Sequence, residues 1–426
     1  MIDYSIYKKS RISYIIEAAL EYFISILVTD SFLAALLTKS GVNDAATGII
    51  TQLASLAFVA QMFSVFVNKT RGLKKFVTIL HIINQLMFVL LYLVPVFDIA
   101  PGVKFVLFVV FFLGGHFISQ IVFPYKFSWL MSLMPDKSRG RFSANKEIVS
   151  LVGGMAFSFV MGTVSDYYNA LGKENISFMI CGITIFVLTV LHTVSLVIIK
   201  DAPETDETVQ KESFKTHLKN TFSNKALMKL ITVDVLWHCT TGIAVSFYGI
   251  YKINELGFSL QYVSILSIMY SVARVAFSRF FGKYADTHSW ANMLFICFWI
   301  AAVSFLINVF TVPENGKVMF AIYYCIYAVA MAGINSGLMN IAFDYVKPCE
   351  RAGAIGIKYA IGGFASFFAS IVGGVILTNI QNAQNMIFGI HIYAQQLLSL
   401  IAFIICVILS IYMKNVICKI KVKQNR

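Results

Sequence analysis

An all-α integral membrane protein, with twelve transmembrane helices in two pseudo-symmetric six-helix bundles, is the fold class this sequence predicts. Three observations predict it. The 426 residues are 58% hydrophobic and 13% charged, and the mean hydropathy is +0.76. An ordinary soluble domain carries about a quarter charged residues, so this chain has too little polar surface to cover a water-soluble globule. Twelve apolar runs are each long enough to cross a bilayer, and one long hydrophilic segment parts them six and six. Soluble enzymes, disordered regulators, fibrous proteins and secreted disulfide scaffolds are excluded.

The runs cover 12–37, 46–67, 76–97, 104–131, 146–168, 177–199, 227–251, 258–281, 291–312, 318–346, 352–379 and 390–415. Strand-type alternation is absent, which excludes a β-barrel and leaves helices to satisfy the backbone in lipid. Lys8, Lys9 and Arg11 precede the first run in the manner of a leader peptide. That run is too long, holds Glu17, Glu21 and Asp30, and lacks a small-residue cleavage site, so a spanning helix is expected. The hydrophilic segment 200–226 then separates an N-terminal bundle (1–199) from a C-terminal bundle (227–416), followed by a basic tail (417–426).

The net charge of +13 does not point to nucleic acid, because the basic residues sit in short clusters between apolar runs. With the N-terminus placed in the cytoplasm, 27 of the 34 Lys and Arg fall on the cytoplasmic side, five on the other, and Lys126 and Arg274 within spans. This asymmetry orients the chain and predicts that both termini are cytoplasmic. Seven scattered cysteines without a CxxC pair read as small hydrophobes. No metal or cofactor is expected, and a monomer in the bilayer is.

The two halves resemble each other. PDKSRGRFSANKEIVSLVGGMAFSFVMG, from Pro135, and PCERAGAIGIKYAIGGFASFFASIVGG, from Pro348, each place a proline, an arginine and a Gly-rich helix in the same order. GVNDAATGII, from Gly41, and GFSLQYVSIL, from Gly257, each open an even-numbered span after a short outer loop. Corresponding placement in both halves favours duplication.

At this point the chain resembles the major facilitator superfamily over essentially its whole length. Gly282 to Asp286 (GKYAD) looks like that family's GxxxD loop signature, and Arg139 and Arg141 lie in a PxxxRGR stretch like its cytoplasmic loops. The first-half copy, NKTRGLKK from Asn68, has asparagine where the family has aspartate. The resemblance implies that Gly282, Asp286, Arg139 and Arg141 gate the cytoplasmic end. It also implies that the first, fourth, seventh and tenth helices line a central cavity. The fifth span lacks the GPxxGG pattern of the family's proton-driven drug antiporters.

Ionisable groups in hydrocarbon are costly and should face a cavity or a partner. In the first span Glu17 and Glu21 share a face, and Glu21, nearer mid-membrane, is expected to carry the proton. Asp30 falls about 900° further round the helix, on the opposite face. In the seventh span Asp234, His238, Thr241 and Tyr248 fall within about 80° of arc, and Asp234 with His238 forms an acid–imidazole pair suited to a proton relay. The fourth span offers His116 and Gln120, and the tenth Tyr324 and Asn335. Arg274 is expected to neutralise an embedded acid such as Asp234.

These residues, with the resemblance, predict a secondary transporter that moves a small solute by alternating access, coupled to protons, the solute being a sugar or related organic compound. Export of drugs or amphiphiles by the same fold is the alternative, and a membrane-embedded enzyme or lipid-handling protein the lesser one. HExxH, GxSxG and GxxxxGK[ST] are all missing. Asn175 and Ser177 match a glycosylation acceptor, yet short outer loops favour a bacterial plasma membrane.

Overall fold

A computed structural model of the chain describes residues 4–66, 73–133, 139–201, 222–343, 351–387 and 389–420. The helices, in order, are α1 (Lys8–Leu27), α2 (Asp30–Lys39), α3 (Asp44–Leu56), α4 (Leu73–Leu93), α5 (Pro101–Ser132), α6 (Arg139–Ala170), α7 (Glu174–Ile198), α8 (Lys225–Ile250), α9 (Leu260–Thr287), α10 (Trp290–Val309), α11 (Gly316–Phe343), α12 (Arg351–Asn382) and α13 (Ala394–Tyr412). Eleven helical stretches among the described residues are long and apolar enough to cross a membrane. The second span is α3 continued by a 3₁₀ segment, Ala57–Phe66. Local chemistry sets several starts: Asn43, Asn224 and Ser289 accept first-turn N–H groups of α3, α8 and α10, and Pro101 opens α5.

The first span is not one helix. α1 stops at Leu27, and Asp30, at φ +46°, restarts the chain as α2. This φ lies in the left-handed region, which aspartate tolerates better than most residues. Helical phase is lost at the break, so the 100° arithmetic that set Asp30 opposite Glu21 does not carry across it. Asp30 is exposed beside Ser31. A two-residue antiparallel hairpin, β1 (Met386–Ile387) with β2 (Ile390–His391), precedes α13.

Contacts group the chain into two compact units. The first holds Met1–Val42, Ala60–Lys211 and Ser259–Ser264. In it α1 packs against α6 and α7, and α4 against α5 and α7. One end is closed by Tyr7, Tyr14, Val77, Val122, Trp129, Leu130, Leu133, Leu196 and Ile199. Trp129 donates its indole N–H to the Lys200 carbonyl at 3.1 Å, and Ser13 donates to the Ser195 carbonyl at 2.8 Å.

The second unit holds Asn43–Val59, Glu212–Phe258 and Ile265–Arg426. Here α12 packs against α3 and α8, α10 against α11 and α13, and α13 against α8. Its interior is aromatic: Tyr248, Tyr323, Phe305 and Phe320 are buried together, with Tyr323 and Tyr327 stacked at 5.6 Å.

Two readings of the sequence change. Asn175 lies in the first turn of α7, and Ser177 is 2% exposed, so this triplet is helix interior and not a glycosylation loop. Lys358, counted among orienting loop charges, is buried within α12. The first-half loop from Asn68 to Gly72, most of the 200–226 segment, and Pro348 with Cys349 lie outside the described residues; the six described cysteines are free thiols.

Trp129 anchors one end of the first unit by packing and by one hydrogen bond. Trp129→Ala is expected to cost about 3 kcal/mol and to lower the thermal midpoint of the detergent-solubilised protein. An unchanged midpoint would show that this end contributes little.

Candidate functional site

Helix α1 sets Glu17 toward α5 and α7. Its carboxylate is fully buried, and Oε1 receives the Lys126 ammonium at 3.0 Å and lies 3.0 Å from His192 Nε2. Lys126 also donates to Glu21, one turn on, whose side chain is 38% exposed. His192 Nδ1 lies 3.2 Å from Gln85 Nε2. The His81 ring stands 5.3 Å from the His192 ring, with Nδ1 4.0 Å from Glu21 Oε1. Four buried positions in this cluster have no hydrogen-bond partner among the described residues: Glu17 Oε2, Gln85 Oε1 and both nitrogens of His81.

A Gln85 amide turned over would present its oxygen, in place of its NH₂, to His192 Nδ1.

The second unit repeats the motif. Asp234 is fully buried on α8; Lys358 of α12 donates to Oδ1 at 2.7 Å, and His238 Nε2 lies 3.5 Å from Oδ2. Lys358 also donates to the Leu338 carbonyl at 2.9 Å. Gly362 makes room: a Cβ there would lie 2.6 Å from Asp234 Oδ2. The two clusters occupy equivalent helix positions. Glu17 and Asp234 each stand nine residues past the first residue of α1 and α8, and Glu21 and His238 each thirteen. The acids thus correspond in position, whereas their lysines come from α5 in the first unit and α12 in the second.

Glu17, Glu21 and His192 bring ligand atoms within 4.8 Å of one another, the dimensions of a cation site. The Lys126 ammonium bonds both carboxylates, so a tethered cation already stands where a metal ion would sit.

The other expected residues are placed as follows. The fully buried acid of α1 is Glu17, and Glu21 is the half-open one. Asp234 takes Lys358 as its cation where Arg274 was expected, because α12 packs directly on α8; Arg274 is half-buried on α9. His116 is clasped between Phe88 at 5.1 Å and Phe112 at 4.5 Å. Gln120 accepts from Gln61 at 2.7 Å. Thr241 bonds back to its own helix, at the Trp237 and His238 carbonyls. Tyr248 lies in the aromatic interior, its hydroxyl 2.7 Å from Ser399 Oγ. Tyr324 is half-buried with the Lys252 ammonium 5.2 Å from its ring, and Asn335 is exposed. Gly282 lies in the last turns of α9, where a Cβ would meet open space. Asp286 is on the same helix, and Arg139 and Arg141 open α6; the side chains of these three lie outside what is described.

Sequence reasoning did not single out His192, His81, Gln85 or Lys358 as partners, and placed Lys126 within a span without naming its partner. One signal was available. Each in-span acid demands a cation, and Lys126 and Lys358 sit inside helices in corresponding halves.

Comparison with known proteins matches residues 21–415 to the MFS_1 like family model. The chain belongs to this family. Its solved structural neighbours have the same fold. The nucleoside transporter NupG is 16% identical, with a TM-score of 0.69 over 97% of this chain and 100% of that one. A D-xylose–proton symporter is 12% identical, at 0.70 over 96% and 97%. A bacterial homolog of the human lysosomal transporter Spinster, inward-facing and unoccupied, is 13% identical, at 0.69 over 97% of both chains. No curated protein matches by sequence. The chain is a multi-pass membrane protein with the major facilitator transporter fold.

Removing one member of a buried ion pair leaves the other charge uncompensated. Lys358→Met is expected to destabilise the protein by about 3–5 kcal/mol, and Asp234→Asn/Lys358→Met to recover most of that loss. Thermal unfolding of the two variants in detergent measures both; a double variant no more stable than the single would show that the pair matters for packing and not for charge.

Proposed function

We propose that the chain is a secondary active transporter that moves a small hydroxyl-bearing solute, such as a sugar or nucleoside, by alternating access coupled to protons. The carrying observation is that the first helix of each half holds a buried acid, Glu17 or Asp234, that is met by a lysine and a histidine. Buried ionisable groups in a membrane protein are expensive and mark ion or proton pathways. In the first unit a graded path runs from half-open Glu21, past His81, to buried His192 and Glu17. Its Gln85 amide can present either its NH₂ or its oxygen to His192. The Lys126 ammonium holds both carboxylates, so protonating either one frees the lysine to follow the other. That exchange of partners is a physical link between proton occupancy and helix position.

For the solute, the half-buried amide pair Gln61 and Gln120 supplies donors and acceptors in one place, which suits hydroxyl recognition. A sugar and a nucleoside are also what two structural neighbours are named for. The reading places the protein in a plasma membrane with both termini cytoplasmic, as its charge asymmetry implies.

Purified protein in liposomes, given radiolabelled pentoses, hexoses, nucleosides and a lipophilic cation under an imposed pH gradient, tests this reading. One pH unit corresponds to about 1.4 kcal/mol, hence about tenfold accumulation per coupled proton. A polar solute should accumulate and be released by a protonophore. Glu17→Gln or His192→Asn should abolish gradient-driven accumulation while leaving solute exchange across the membrane. Accumulation indifferent to the gradient and to both variants would sink proton coupling; transport of the lipophilic cation alone would move the assignment to amphiphile export.

A further inference from the structure

One end of the second unit, where α8 and α10 finish and α11 and α13 begin, is polar inside. Most of the hydrogen bonds there close on one another. Ser399 Oγ donates to the Gln395 carbonyl at 2.6 Å, one turn back on α13. Its single proton is thereby used, so the Tyr248 hydroxyl, 2.7 Å away, donates to Ser399 Oγ. Asn308 Nδ2 gives the same oxygen a second bond at 3.1 Å. Thr311 Oγ1 donates to Asn308 Oδ1 at 3.1 Å, and the Tyr251 hydroxyl to the Thr311 carbonyl at 2.6 Å. Every hydroxyl proton of Ser399, Tyr248, Thr311 and Tyr251 is therefore committed.

Two side chains at this end stand outside that network. Gln395 is 1% exposed, and neither its Nε2 nor its Oε1 has a hydrogen-bond partner among the described residues. The Tyr323 hydroxyl is likewise buried and without a partner among them. Tyr248 is a neighbour of both. Its hydroxyl is bonded to Ser399, which shares a face of α13 with Gln395, and its ring meets the Tyr323 ring edge-on at 5.3 Å.

A buried amide that makes no hydrogen bond costs more than a made bond gains. Rotating the neighbouring hydroxyls cannot meet the Gln395 oxygen, because their protons are spent. Whatever satisfies the amide has to donate to Oε1 and accept from Nε2. It has to be neutral, since every member of the network is uncharged, and small enough to fit among buried tyrosine rings. Water meets all of these conditions.

We infer that this end of the second unit is a structural water site, held by the Gln395 amide and the Tyr323 hydroxyl. The Tyr248 oxygen, having donated its proton, completes the site as an acceptor. Bridging water of this kind joins polar groups nearly as well as a direct bond, and here it ties α11 to α8 and α13. The site is separate from the ionisable cluster on the same helix. Tyr248 is fourteen residues past Asp234, about 21 Å along α8 at 1.5 Å per residue. It gives Tyr248 a positioning role and does not depend on what the protein carries.

Radical footprinting of the full-length protein in detergent tests the site. A brief X-ray pulse makes hydroxyl radicals wherever water is, so a buried ring is oxidised only when bound water lies beside it. Tyr323 should be oxidised several-fold faster than Tyr92, which is equally buried and whose hydroxyl donates to the Leu27 carbonyl. After rapid mixing with water enriched in heavy oxygen, the oxygen added to Tyr323 should still be the light isotope, because enclosed water exchanges slowly.

Gln395→Met keeps the length of the side chain and removes both polar atoms. If water is bound, this variant strands it: Tyr323 labelling should fall several-fold. The thermal midpoint should drop by about 2–4 °C, the shift that loss of about one hydrogen bond produces in a large domain. If the amide is merely unpartnered, its removal relieves a cost and the midpoint rises. Tyr323→Phe gives the same contrast in midpoint should Gln395→Met fail to fold. A Tyr323 labelled no faster than Tyr92, heavy oxygen on its ring, or a higher midpoint in either variant overturns the inference.

Discussion

A charge buried among apolar helices has to be met by an opposite charge, and two lysine–carboxylate pairs meet that requirement here. Lys126 with Glu17 ties α5 to α1, and Lys358 with Asp234 ties α12 to α8. Lipid tails are as apolar as leucine, so helices in a bilayer are not driven together by the hydrophobic effect. Pairs that would be costly if separated therefore say more about which helices must adjoin than any stripe of aliphatic residues does. The rest of the interior accommodates them: His192 and Gln85 complete the first pair, and glycine at 362 clears space for the second.

The same arrangement that stabilises each unit also makes it responsive. A carboxylate shared between a lysine and an imidazole has more than one protonation pattern, and each favours different hydrogen bonds. Among the described residues Glu17 Oε2, Gln85 Oε1 and both His81 nitrogens have no hydrogen-bond partner in the first unit, and Asp234 Oδ2 has none in the second. Incomplete satisfaction is expensive at low dielectric. It is also what allows a proton or a water to change the pattern. In the second unit Lys358 bonds both Asp234 and the Leu338 carbonyl. The two clusters share a buried acid with a lysine and a histidine, drawn from different helices.

Much of the fold was legible in the sequence. Run length and hydropathy identify spans one by one. What hydropathy does not see is a change of backbone state inside an apolar run. The restart at Asp30 and the 3₁₀ continuation of α3 both lie within stretches that read as continuous. The site was legible in part. Glu17, Glu21, Asp234 and His238 stood out as charges or rings inside spans. Periodicity gave their faces within a helix, yet Tyr248 proved to be interior and Asn335 exposed, because a face has no meaning until its neighbours are known.

By itself the sequence determined that this protein lies in a membrane and that apolar helices cross it many times. Those properties follow from local transfer energies and from order along the chain. Only the tertiary structure decided which acid of the first helix is buried, that Lys126 and Lys358 are its and Asp234's partners, and that His192 closes the first cluster. The partners are 109, 124 and 175 residues from their acids, and Coulomb attraction depends on distance in space, which no spacing along the chain encodes.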